Sequence, residues 1–284
     1  GGQGDLVCAD ATNGKVLWRT SMTALGGSSP MWGYAASVLL DGNRVICTPG
    51  GDRGAVAALD KTDGHLIWQS KAFTEAAQYS SPVLAEINGV KQIVQLTMKK
   101  LVGIEVETGK VLWQSDWPGK TAVIPTPVCK DNYVFVTSGY GVGCQLVAIG
   151  PDNSVKKVYA NADMSNHHGG VLRVGDCLYG YSDRKGWVCM DFMTGKILWA
   201  DKSLGKGAVT SAGGMLYCLA ENSGGMALVS PSPTGWTAKG TLTLTPQSTH
   251  RSRRGKIWTH PVIADGRLFL RDQEIVYCYN VKGR

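Results

Sequence analysis

A nine-residue phrase recurs along the chain and decides most of what it can become. Asp191 to Trp199 reads DFMTGKILW, and the phrase returns at Asp10 to Trp18 (DATNGKVLW), Asp60 to Trp68 (DKTDGHLIW) and Glu105 to Trp113 (EVETGKVLW). In each copy an apolar run leads into an acidic residue, and a polar turn follows. The turn holds a glycine free to take positive φ, and three residues ending in Trp run back, which is how a β-hairpin is written. The glycine precedes the tryptophan by four residues in all four copies. Residues 150–159 are a blurred copy with Tyr159 in place of Trp, and residues 230–236, with two prolines and an inserted residue, are a weaker one.

The steps from Trp18 to Trp68, Trp113, Tyr159, Trp199 and Trp236 are 50, 45, 46, 40 and 37 residues. Self-similarity at roughly 40–50 residues is the mark of a β-propeller with one four-stranded antiparallel sheet per repeat. Hairpins recurring by chance in a sandwich would not hold the Gly-to-Trp spacing fixed.

As it stands from Cys189 to Trp199, with a small residue, an acid, Thr-Gly-Lys and a final Trp, the phrase resembles the tryptophan-docking motif of the PQQ-like propeller superfamily. That superfamily includes quinoprotein alcohol dehydrogenases and the lipoprotein scaffold of the bacterial outer-membrane-protein assembly machine. The resemblance runs over nearly the whole chain and speaks to fold far more than to function. It implies that Trp18, Trp68, Trp113 and Trp199 wedge between neighbouring sheets.

Taken in order, residues 5–20 supply only two strands. Complete units of four follow, with innermost strands expected at residues 34–40, 79–87, 124–129, 168–174 and from 208, and a last unit begins at 258–264 with three strands. The expectation is therefore an all-β propeller of five complete and two partial blades, a single domain spanning residues 1–284. Three strands at one end and two at the other exceed one four-stranded sheet. The chain thus reads as lacking an N-terminal segment of a parent with seven or eight blades; seven sheets with one crowded closing blade is the alternative. The only candidate helical turn is residues 71–77.

A content of 43% hydrophobic residues, 37 glycines and 18% charged residues suits a turn-rich all-β chain. No apolar run reaches the 18 residues of a membrane-spanning helix. Lys+Arg 29 against Asp+Glu 22 gives +7, a mild excess ascribed to solvated turns. Eight cysteines form neither C-x-x-C nor adjacent pairs. Cys8, Cys189 and Cys278 fall in the third-strand column that holds Ala58, Gly103 and Ala148 elsewhere, so cysteine reads as a small apolar filler.

Motifs for chemistry are sparse. The family's quinone enzymes carry adjacent cysteines, which this chain lacks, and no cluster of acidic ligands stands at the innermost strands. Gly139 to Gly143 (GYGVG) lies between strands with no following helix, unlike a dinucleotide loop. Asp60 to Gly64 resembles part of a calcium loop but is one copy of the hairpin turn. Neither a catalytic residue nor a metal site is expected.

The least ordinary stretch is Asn166-His167-His168, placed at the start of an innermost strand, where neighbouring side chains point to opposite faces. In a propeller the connection into strand one and the connection between strands two and three open on the same face. Trp32, Tyr34, Tyr79, Ser80, Thr126, Asn166, His167, His168, Lys206, Trp258 and His260 are expected to gather there around one ligand funnel, with His168 and His260 as principal donors. A basic rim is expected from Arg251, Arg253, Arg254 and Lys256, which lack the interleaved aromatics of a nucleic-acid platform.

The functional expectation is a non-enzymatic, exported scaffold or ligand-binding propeller of the bacterial cell envelope, monomeric and without cofactor, taking a protein, small-molecule or carbohydrate ligand in the funnel. Export and a periplasmic address rest on the family resemblance. The alternatives are a PQQ- and calcium-dependent oxidoreductase and a glycan-binding propeller.

Overall fold

Each copy of the phrase folds as expected, with one addition that explains its ending. In the computed structural model, which describes residues 1–282, β1 (Asp5–Ala9) and β2 (Val16–Ser21) form a two-stranded sheet. Cys8 pairs with Trp18 and Ala9 with Val16, so Leu17 is an extra residue on one strand. The same bulge recurs before Trp68, Trp113 and Trp199, where Ile67, Leu112 and Leu198 are passed over. A bulge sharpens local twist and re-aims the following side chain, here the tryptophan.

Five sheets have four strands each, in simple chain order. They comprise β3 (Leu39–Asp41), β4 (Arg44–Cys47), β5 (Ala57–Asp60) and β6 (Leu66–Gln69), then β7 (Val83–Ile87), β8 (Val90–Leu96), β9 (Lys100–Glu105) and β10 (Val111–Asp116). The third runs β11 (Val128–Lys130), β12 (Tyr133–Ser138), β13 (Gly143–Ile149) and β14 (Val155–Asn161). The fourth is β15 (Val171–Val174), β16 (Cys177–Ser182), β17 (Gly186–Asp191) and β18 (Ile197–Asp201). The fifth is β19 (Gly207–Ala212), β20 (Met215–Ala220), β21 (Gly225–Val229) and β22 (Ala238–Thr243). A three-stranded sheet of β23 (Val262–Ala264), β24 (Arg267–Asp272) and β25 (Ile275–Asn280) completes the described residues. Among them there is no helix, and residues 71–77 hold only a turn at Lys71 and Ala72. Among the described residues there are thus five four-stranded sheets and two partial ones, as read from the repeats.

The innermost strands are shorter than expected. β3, β7, β11, β15 and β23 begin three to five residues after the positions read from the sequence. The cause is local: Pro82, Pro127 and Pro261 stand directly before β7, β11 and β23 and cannot donate to a ladder. Gly170, before β15, sits at φ 78°. Tyr34, Tyr79, Thr126, His168, Trp258 and His260 therefore lie on the entering connections rather than in strands.

The chain divides into two compact units, Gly1–Ser138 with Leu146–Val158, and Gly139–Gln145 with Tyr159–Arg284. In the first, Ile46, Ala58, Trp68, Ile93, Val102 and Ile104 are buried together with Val106. In the second, Tyr179, Trp187, Cys189, Val209, Cys218 and Ala227 form an equivalent core.

Docking ties one repeat to the next. Trp18 Nε1 donates to the Lys61 carbonyl at 2.9 Å and Trp68 Nε1 to that of Val106 at 3.1 Å. Tyr159 Oη donates to Phe192 O at 3.0 Å, and Trp199 Nε1 to Ser232 O at 2.7 Å. The rings of Trp18, Trp68 and Tyr159 lie flat on Gly64, Gly109 and Gly195. A Cβ on those glycines would come within 2.5, 2.4 and 2.6 Å of the ring, and each has positive φ. The phrase needs its glycine twice over, for the turn and for the neighbour's ring.

Trp113 departs from this scheme. It is 3% exposed, but its Nε1 donates to Gln92 Oε1 of its own sheet at 2.7 Å, and its indole covers Gly103. The turn it would meet is the blurred copy after β13, where Pro151 and Asn153 replace the regular phrase. Asn88, at φ 52° in the β7–β8 turn, instead donates to the carbonyls of Ile149 and Gly150 at 3.1 and 2.9 Å. Trp236 also differs: it precedes β22 and packs on Trp187 and Trp199, at 5.9 and 6.2 Å between ring centroids.

The small-residue column holds. Cys8, Ala58, Gly103 and Cys189 each pair directly with a docking tryptophan, and at Gly103 a Cβ would meet Trp113 Nε1 at 2.2 Å. Cys278 keeps the equivalent register on β25 opposite Phe269, but is exposed.

Candidate functional site

The expected funnel residues fall in both units, and each group has its own geometry. In the first unit Trp32 is 59% exposed and packs tilted on Tyr79 with 5.8 Å between ring centroids; Tyr79 Oη accepts the Trp32 amide at 3.2 Å. Tyr34 is buried and donates to Pro49 O at 3.0 Å, and burial raises its pKa. Ser80 is fully buried, its Oγ donating to Pro125 O at 2.9 Å. Tyr34 and Ser80 thus hold connections together, leaving Trp32, Tyr79 and half-buried Thr126 nearest to solvent.

The second unit carries a denser arrangement. Asn166 fastens the connection into β15: its Nδ2 donates to Gly170 O and Tyr181 O, and its Oδ1 accepts the Gly170 amide. Gly169 lies so close to Gly207 that a Cβ would sit 1.9 Å from the Gly207 oxygen, so no other residue fits. Between these fixed points His167 and His168 are presented side by side, ring centroids 4.9 Å apart. The expectation that they face opposite ways fails because the segment is not yet strand.

His167 bridges two partners, Tyr140 Oη at 2.9 Å through Nε2 and Lys206 Nζ at 3.0 Å through Nδ1. Since the ammonium can only donate, Nδ1 accepts and the ring is neutral with its proton on Nε2. Burial, then the charges of Lys206 and His168, push its pKa down to about 4. Lys206 in turn pairs with Asp183 at 2.7 Å.

His168 is 8% exposed and its Nε2 meets Glu221 Oε2 at 2.6 Å. Burial works to raise the Glu221 carboxyl, but the hydrogen bond and charge of His168, with Lys206, outweigh it and hold the group below its ordinary value. The buried Nδ1 of His168 has no partner among the described residues, so no hydroxyl or thiol completes a nucleophilic triad with this dyad. His260 Nε2 bonds to His168 O at 2.7 Å, and Trp258, 54% exposed, sets its ring edge-on 6.1 Å from that of His168.

Asn166, His167, His168, Lys206, Trp258 and His260 therefore belong to one hydrogen-bonded and ring-packed group. Three members escaped the sequence reading. Tyr140, Asp183 and Glu221 all come from turns between second and third strands, which that reading had placed on the same face without naming their residues.

The basic rim is mixed. Arg251 is held by the fully buried Asp272 at 3.1 Å and donates to Asn222 O, so it braces the loop. Arg253 and Arg254 are exposed, and Lys256 is half-buried. Donor atoms of Asp60, Asp63 and His65 lie within 4.8 Å of one another. Their oxygens already serve the turn, Asp60 accepting from Thr62 and Asn43 and Asp63 from His65.

Flat docking of an aromatic ring on the glycine of the next antiparallel sheet's hairpin, repeated along the chain with polar residues gathered on the entering loops, defines a PQQ-like repeat β-propeller. Residues 1–201 match the family described as outer membrane protein assembly factor BamB, and the chain belongs to that family. Over 190 residues it is 26% identical to outer membrane protein assembly factor BamB of Shewanella oneidensis, covering 61% of this chain and 45% of the relative. The chain thus spans less than half the length of that curated relative. The crystal structure of BamB from Moraxella catarrhalis superposes with a TM-score of 0.68 at 18% identity, covering 98% of this chain and 78% of the other. A computationally designed protein, Ika8, reaches 0.67 at 12% identity over 99% and 79%, which underlines that such likeness carries the fold alone.

Proposed function

We propose that this protein is a binding scaffold of the bacterial cell envelope that serves the assembly of outer-membrane proteins, without chemistry of its own. The family match over residues 1–201 carries the reading. The loop group of the second unit supports it: its polar atoms are largely paired with one another, as in a rigid docking surface, and exposed Trp258 offers the kind of aromatic anchor on which interfaces concentrate binding energy. The partner is a protein engaging Trp258, His260 and the edge of His167. Among the described residues no helix is long and apolar enough to cross a membrane, and the envelope address follows from the family.

The test is complementation. The full-length protein, expressed in a bacterium lacking its own family member, restores outer-membrane protein levels; Trp258→Ala and the double variant His168→Ala, His260→Ala lose most of that restoration while keeping native circular dichroism. Full activity in both variants moves the site elsewhere. A saturable absorbance change on adding PQQ and calcium would instead make the protein a quinoprotein.

A further inference from the structure

The second unit also holds a positively charged basin that shares no side chain with the loop group. An open volume of about 670 Å³ is bordered by Arg184, Lys185, Lys196 and Lys202, with Asp163 as the one carboxylate and Ile197 and Ala200 as its apolar floor. Asp163 is taken by Lys185 at 2.8 Å. Arg184, Lys196 and Lys202 form no ion pair among the described residues. The lining carries a net charge of +3, four cations less one carboxylate, within a chain whose total is +7.

The layout is linear. Lys196 and Lys202 flank the edge strand β18, six positions apart with Leu198 as a bulge, which at about 3.3 Å per paired residue is roughly 17 Å, the length of a five-residue extended segment. Arg184 stands in the β16–β17 turn at φ 72°, across β17 from the far end of β18, where Gly186 packs on Asp201 and Lys202. Clustered like charges raise one another's energy, and a line of them around an apolar floor is relieved by carboxylates carried on an extended backbone. A flat anionic surface would meet the outer ammonium groups but leave Ile197 and Ala200 uncovered.

We infer that this basin is a docking surface for an acidic, extended segment of a partner protein, with Arg184, Lys196 and Lys202 receiving its carboxylates and Ile197 and Ala200 an apolar side chain between them. It is independent of the loop group and of the scaffold reading.

The probe is a fluorescein-labelled octapeptide of alternating Glu and Val, titrated by anisotropy into the whole protein at low and physiological salt, beside its Gln-Val counterpart. The Glu peptide binds and the Gln peptide does not, and binding weakens about tenfold or more in Lys196→Gln, Lys202→Gln and falls with salt. Lys15→Gln, Lys239→Gln, which removes two exposed lysines outside the basin, leaves it unchanged. Equal loss in both double variants, equal binding of both peptides, or no binding of the Glu peptide overturns the proposal, as does retention of anionic phosphatidylglycerol vesicles through Lys196 and Lys202 without peptide binding.

Discussion

His167 shows what a single side chain must give up to sit where it does. Its ring accepts from Lys206 and is held neutral, with the pKa pushed to about 4. An unfolded chain takes up that proton near pH 6.5, so between about pH 6.5 and 4 the unfolded state binds more protons and stability falls as pH falls. Glu221, also lowered, acts in the same direction, because its contribution is present at neutral pH and is lost on acidification. Denaturant unfolding at pH 7 and pH 4.5 should show the wild type losing on the order of 1 kcal/mol to His167, solvent screening of the half-buried ring reducing the full effect, and His167→Gln should lose markedly less over the same interval. Parallel losses in the two proteins would mean that the histidine is solvated and the Lys206 contact incidental.

Elements were more legible in the sequence than the site was, for a physical reason. The Gly-to-Trp spacing is visible because consecutive repeats touch through those residues, so geometry prints the same letters each time. Tyr140, Asp183 and Glu221 meet at one place yet come from three turns of different sequence, and no period announces them. The innermost strands start later than their apolar content suggests because Pro82, Pro127 and Pro261 stand directly before β7, β11 and β23. Docking strength is open to measurement. Trp68→Ala should cost about 3–5 kcal/mol, and Gly109→Ala, which sets a Cβ into the same indole at a positive-φ position, should destabilise by more than about 1 kcal/mol. Asn88→Ala should cost roughly 1–2 kcal/mol through the two hydrogen bonds it makes to the Ile149 and Gly150 carbonyls, with no comparable effect at Asn13, whose side chain serves only its own turn. If Gly109→Ala unfolds like wild type, the flat stacking is not what fixes that glycine.

At the scale of the molecule, strand content and family agree on an all-β propeller, and its cysteines offer a view of how it comes apart. Cys47 in the first unit and Cys144 in the second are 2% and 3% exposed, and burial pushes both thiols up to about 12; Cys278 is exposed. With a thiol reagent the native protein should label quickly at Cys278 alone, and the denatured protein at all eight. We propose that the chain is a single domain, so labelling of Cys47 and Cys144 should rise together along a denaturant gradient. Two separated midpoints would divide the chain into independently stable parts.

The stacking of one repeat's aromatic ring on the following repeat's glycine has a bearing on how such chains can be recombined. A chimera spliced between blades, after Trp68 and before the next turn, separates Trp68 from Gly109 and obliges two unrelated parents to match at a flat contact with no slack. A splice inside the hairpin, between Gly64 and Trp68, keeps every ring with the glycine it covers. The natural module for exchange is therefore offset from the visible sheet, running from the outer strand of one blade through the turn of the next.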